Sequence, residues 1–233
     1  MRKSAPTERA RAGKAADTWM AALFAELGRL TLLSEPEKLL RDRGYRRIAG
    51  TDEVGRGCLA GPVVAAAVIL PPGFWWPGID DSKKLSSEER FEIADELRRR
   101  SVAYGISVVS VREIEETDIR LASLSAMRQA LEALDPSPEV VLSDAFAVPG
   151  FAGPQVPIVH GDARSISIAA ASILAKVHRD QLMDDLAIRY PAYAFDKHKG
   201  YGVAEHREAL TRVGPCPEHR LTFRGVLPQP VVC

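Results

Sequence analysis

Four acidic residues set the chemistry this chain could perform. Asp52 and Glu53 are neighbours in IAGTDEVGRGCLAGPVVAAAVIL (residues 48–70), Asp144 closes the apolar segment EVVLSD, and Asp162 stands in HGDARSIS. Isolated carboxylates are costly to take out of water, so acids beside apolar runs require cations, donors or an ion. Three or four of them meeting at one sheet edge would make an all-oxygen site, which suits Mg²⁺ or Mn²⁺ and not zinc. Such a site can hold two ions that activate water and stabilise the leaving oxygen in phosphodiester cleavage.

The elements that must deliver these acids can be read from periodicity. RRIAGTD and PVVAAAVIL are strands on either side of a Gly-rich turn, SVAYGISVVSV is a third, EVVLS a short buried fourth, and QVPIVH a fifth. A regular strand alternates faces, so Asp52 and Glu53 cannot both project to one point from it. The Gly55-Arg56-Gly57 turn that follows could end the strand and let them converge. Ser86 and Glu89 form a capping-box pattern for a helix to about Arg100, and helical spacing returns over Ile119 to Leu134. SISIAAASILAKVHRDQLMDDLAIRY reads as a long helix whose first half of small side chains allows close approach to a sheet. Together these predict an α/β fold, a five-stranded mixed sheet flanked by helices with a helical C-terminal part.

Outside the body (46–227), residues 1–45 read as an extension with a disordered start to about residue 15, helical spacing from Trp19, and a capping box at Ser34-Glu35-Pro36-Glu37. Residues 228–233 are a short tail. Thirty-one basic residues balance 31 acidic ones, which argues against a wholesale nucleic-acid coater but leaves room for a local basic groove. No apolar run reaches membrane-span length, no secretory signal is visible, and three scattered cysteines make no disulfide framework. A cytoplasmic monomer that does not engage a membrane is the expectation.

TDEVGRGCLAGPV resembles the signature of the type 2 ribonucleases H, the ribonuclease HII family. DDSKKLS, LSDAF, GDARSISIAAASILAKVHRD, HKGYG and HRLTF follow in family order and carry the resemblance from residue 48 to about 227. It implies a ribonuclease H-like fold and a metal site of Asp52, Glu53, Asp144 and Asp162 binding Mn²⁺ or Mg²⁺. It implies hydrolysis of RNA in RNA/DNA hybrids and cutting 5′ of single ribonucleotides in duplex DNA, leaving 3′-hydroxyl and 5′-phosphate ends. Selecting RNA means sensing one 2′-hydroxyl. In the family the turn Gly55, Arg56, Gly57 reads it, together with the tyrosine that corresponds to Tyr201. Lys83, Lys84, Arg164, Ser172 and Lys176 lie in motif segments and are the expected phosphate contacts, whose binding falls as salt rises.

Several other patterns carry less. Gly55-x-Gly57-x-x-x-Gly61 has neither dinucleotide-fingerprint nor P-loop spacing, and His178-Arg179-Asp180 lacks the kinase partners, so Asp180 reads as structural. Cys216 and His219 alone fall short of a zinc site. Ser143, His198 and Val203 depart from the family's usual residues without touching the four acids. A junction resolvase on the same fold is the runner-up enzyme, disfavoured by Gly55-Arg56-Gly57 and Tyr201. A non-catalytic hybrid-binding module would have lost one of the acids.

Overall fold

The computed structural model describes residues 8–80 and 82–227, with side chains from residue 18 onward. Its centre is a five-stranded sheet in the order β3-β2-β1-β4-β5, formed by β1 (Ile48–Val54), β2 (Val63–Ile69), β3 (Ala103–Val109), β4 (Val140–Asp144) and β5 (Gln155–Ile158). β1, β2 and β3 pair antiparallel, whereas β4 joins β1, and β5 joins β4, in parallel. The mixed sheet read from the sequence is therefore the one observed.

Every residue of β2 is buried because both faces are covered. Val64, Ala66 and Val68 face the long helix α6 (Ile166–Arg189), with α3 (Ser87–Arg100) beside it, while Val63, Ala65, Ala67 and Ile69 face α5 (Ile119–Glu132). Burying each Val or Ile side chain contributes about 1.5–3 kcal/mol. The alanines set the spacing: they let helix backbones lie close to the strands. Gly50 shows the limit, since a Cβ there would stand 2.1 Å from the Ser167 carbonyl carbon of α6. No side chain fits between β1 and the start of that helix.

Sequence and structure part in three places. Helix α1 spans Glu8–Leu33, so residues 8–15, expected to be disordered, are helical; Ala, Arg, Glu and Lys dominate that stretch and favour helix. Residues 1–7 and the tail 228–233 lie outside the described residues. α2 (Glu35–Asp42) begins without the expected capping box: Ser34 is itself helical, and its hydroxyl donates back to Leu30 O at 2.8 Å. Glu37 is turned inward instead. β3 also stops at Val109, because Ser110 and Glu113 form a capping box that opens α4 (Val111–Glu116).

α1 is packed onto the body through Leu30 and Leu33, with Glu26 accepting from Gly78 N at 2.9 Å, and α2 through Leu40 and Glu37. After α6 the chain forms α7 (Phe195–His198) and α8 (Ala204–Val213) around a third core of Met183, Leu186, Tyr193, Phe195 and Leu210. That is the helical C-terminal part. Among the described residues no helix is long and apolar enough to cross a membrane.

Candidate active site

Parallel pairing of β1 with β4 puts Thr51 opposite Ser143, so Asp52 and Asp144 follow side by side where that pairing ends. Their faces can be assigned from their neighbours. Asp52 pairs with Ala66, whose side chain lies under α6, and Asp144 alternates with Leu142, which packs on Ile168 of α6. Glu53 pairs with Ala65, under α5. β1 stays regular through Val54, so the glycine turn does not bring Glu53 round to the face of Asp52. Glu53 reaches the shared edge from the other side of the sheet. Asp162 arrives on a 3₁₀ turn, Gly161–Ala163, whose Gly161 N–H donates to Asp144 Oδ1 at 2.7 Å. Ala145 and His160, which flank this contact, both have φ of 56°, a left-handed conformation costly for residues with a Cβ.

These acids are short of positive charge. Burial, and then the charge of Glu53, push the Asp52 carboxyl well above the usual carboxylate range; Asp144 adds to this, opposed by bonds from the Ser172 hydroxyl and Glu53 N–H. Glu53 is also raised, by burial, although Arg56 Nη1 donates to it at 3.1 Å and pulls the other way. Lys83 Nζ lies 3.0 Å from Asp162 Oδ2. Each carboxylate is thus diverted onto a protein donor. Among the described residues no three acidic, histidine or cysteine side chains stand close enough together to hold one ion as arranged. The donor set still fits a hard divalent cation: it is all oxygen, it lies on a sheet edge fed by three chain segments, and its mutual repulsion is what such a cation relieves.

Beside the acids runs the turn 55–62. Gly55 has φ of +97°, and a Cβ on it would meet Arg179 Nε at 2.3 Å, so only glycine fits. Gly57 is exposed, with open space where its Cβ would be. The Arg56 guanidinium sits 5.8 Å from the centre of the Phe146 ring. Tyr201 lies against this turn: it is 41% exposed, its hydroxyl meets the Cys58 thiol, and burial raises its pKa. The residues predicted to sense the sugar are therefore adjacent to the acid edge and to each other.

The family model for ribonuclease HII matches residues 49–226 of this chain. The chain belongs to the ribonuclease HII family. Membership makes it a ribonuclease H, a hydrolytic endoribonuclease. It is 52% identical over 190 residues to ribonuclease HII of Syntrophotalea carbinolica, covering 82% of this chain and 91% of that one. It is 51% identical over 205 residues to that of Moorella thermoacetica, covering 88% of this chain and all of the other. Among solved structures, the ribonuclease HII in the PCNA complex from Archaeoglobus fulgidus matches with a TM-score of 0.62 at 26% identity, over 75% of this chain and 92% of that one. Ribonuclease H2 from Pyrococcus horikoshii OT3 shares the fold, with a TM-score of 0.66 at 24% identity, over 77% and 95%.

Other residues expected in the ribonuclease HII site are placed unevenly. Lys83 and Lys84 are exposed, the first on Asp162 and the second 3.1 Å from Asp80. Arg164 is exposed and donates to Val159 O. Ser172 is buried, 3.0 Å from the Ser82 hydroxyl, where it supports Asp52. Lys176 is turned onto Asp180, which Arg90 approaches at 3.7 Å.

Sequence reasoning missed Glu37. Its carboxylate is fully buried and accepts from the Ser165 hydroxyl at 2.5 Å and Ser167 N at 2.9 Å. A carboxylate there complements the buried N-terminal N–H groups of α6 and braces Ser165, three residues after Asp162. Its position three residues after Ser34 looked like a local cap and hid this longer-range role.

Proposed function

We propose that this chain cleaves the RNA strand of RNA/DNA hybrids and cuts on the 5′ side of single ribonucleotides in duplex DNA, leaving 3′-hydroxyl and 5′-phosphate ends. Asp52, Glu53, Asp144 and Asp162 would hold Mn²⁺ or Mg²⁺. Such ions, when bound, activate water and neutralise charge on the reacting phosphate. The observation that carries this reading is the parallel register of Thr51 with Ser143, which brings Asp52 of β1 beside Asp144 at the end of β4, near the exposed Gly57 turn.

The protein's own groups have separate tasks. Ser172, backed by Ser82, orients Asp52, and Gly161 N–H orients Asp144. Arg56 and the Gly57 backbone face the ribose and its phosphate, and Tyr201 lies against the neighbouring sugar. Lys83, Lys84 and Arg164, all exposed, supply phosphate contacts that weaken with salt. Lys176 joins them by exchanging Asp180 for a phosphate. The role that follows is removal of ribonucleotides from DNA during replication and repair, in a reducing cytoplasm that suits the free thiols of Cys58 and Cys216.

The test is a DNA duplex with one internal ribonucleotide, incubated with Mg²⁺ or Mn²⁺ beside an all-DNA duplex. A single cut 5′ of the ribonucleotide and an intact control are expected. Equal cutting of both, or of neither, contradicts the reading.

A further inference from the structure

Two arginines behind the turn 55–62 have no role in the chemistry above. Arg179 of α6 and Arg220 near the C-terminus are both fully buried, and among the described residues neither is within ion-pair distance of a carboxylate. Every hydrogen bond they make is to a backbone carbonyl. Arg179 donates Nε–H to Pro62 O (3.0 Å), Nη1 to Lys199 O (2.8 Å) and Nη2 to Ala60 O (3.1 Å). Arg220 donates Nε–H and Nη2 to Gly61 O (3.0 and 2.7 Å) and Nη1 to Arg56 O (3.0 Å). Burying a guanidinium without a counter-ion is costly, and a fold that needed only packing would place an apolar residue there.

Peptide planarity gives the arrangement a consequence. Arg220 draws the Arg56 carbonyl inward, so the N–H of Gly57, on the opposite side of the same rigid unit, is turned outward. That N–H meets no acceptor among the described residues, and the space beside Gly57 is open. Arg179 holds the other end of the turn and ties it to Lys199, two residues before Tyr201. The loop is sewn to the same segments by Leu59 N–H to Gly200 O and Arg220 N–H to Leu59 O, both 2.9 Å.

We propose that Arg220, supported by Arg179, is a positioning residue for sugar selection: it aims the Gly57 N–H at the 2′-oxygen of the ribonucleotide. This rests on the function proposed above and adds the group that fixes the orientation of its recognition turn. The fork geometry matters as much as the charge, since one guanidinium spans the carbonyls of Arg56 and Gly61 and an ammonium cannot hold both in the same way.

The test is binding, measured by fluorescence anisotropy with Ca²⁺ replacing Mg²⁺ and Mn²⁺, of the full chain to a duplex with one ribonucleotide and to the same duplex in all-DNA form. Wild type is expected to prefer the ribonucleotide. Arg220→Gln is expected to lose roughly five- to tenfold of that preference, the worth of one hydrogen bond, while its all-DNA affinity stays within about twofold. Arg220→Lys, which keeps the charge, is expected to lose preference as well, and decides the matter if Arg220→Gln does not fold. A preserved preference in the folded variants, or equal loss on both duplexes, overturns the assignment, as does a wild type with no preference. A wild type that prefers and cuts the ribonucleotide while Arg220→Lys keeps its full preference overturns this inference alone and leaves the proposed function standing.

Discussion

At the sheet edge, burial and neighbouring acids raise the carboxyls of Asp52 and Glu53, and the donors on Glu53 and Asp162 are the partly exposed Arg56 and the exposed Lys83. Behind the neighbouring turn, Arg179 and Arg220 are buried more completely, yet each donor group described for them ends on a fixed carbonyl. The acid edge is incomplete in charge and adjustable in geometry. In the arginine floor every guanidinium nitrogen is bonded to a backbone carbonyl. On the proposed reading buried charge serves two purposes: where it is under-compensated it would recruit a ligand, and where each nitrogen is bonded to backbone it would fix the turn that recognises one.

The contrast can be broken at either side. The largest effect is expected from Asp144→Asn, which removes charge from the edge with little change of shape: cleavage of the single-ribonucleotide duplex should fall by roughly 10³-fold or more, a loss on the scale of key electrostatic groups in active sites. Affinity for that duplex should change only a few-fold, and robust turnover by the variant would assign the chemistry to other residues. Arg179→Met attacks the floor. It strands the carbonyls of Ala60, Pro62 and Lys199, so a loss of about 2–4 kcal/mol in stability is expected by denaturant unfolding. An unchanged midpoint would mean that the floor does not hold the turn.

A third effect separates the regions by pH. Because the folded state raises the Asp52 carboxyl above its unfolded value of about 3.9, the stability tied to its neutral form is complete below that value and lost as pH rises through the raised one. Asp52→Asn should therefore raise the melting temperature of the metal-free chain at pH 8, by about 2–4 °C for each kcal/mol relieved, and the gain should shrink toward pH 4. A gain that grows on acidification contradicts this sign. The smallest effect is expected from Glu37→Gln, which keeps one acceptor for Ser167 N–H but loses the charge: about 1 kcal/mol of stability, with cleavage reduced less than in Asp144→Asn.

Much of this was legible in the sequence, for identifiable reasons. The apolar runs of β1, β2 and β4 and the alanines of α6 are periodic signals, and the Asp52-Glu53 pair before glycines marked the edge on which the family motifs converge. The rest depended on contacts between distant segments. Nothing local says that Glu37 bonds to Ser165 and Ser167, 128 and 130 residues away. Arg179 and Arg220 look like surface charge in a sequence, because their partners are carbonyls, which every residue carries. Glu53 is instructive in the other direction: alternation places it on the face opposite Asp52, and the glycines, which could have overridden alternation, do not, because the β1–β2 ladder continues to Val54.

The central claim is that the strand-end acids form a cation site as a unit. Mn²⁺ binding, followed by electron paramagnetic resonance on the full chain without nucleic acid, tests it most directly. Binding by wild type is expected, with affinity at least about tenfold weaker in Asp52→Asn and in Asp144→Asn, in line with the loss of a ligand or its close support. Equal Mn²⁺ affinity in wild type and both variants would contradict it.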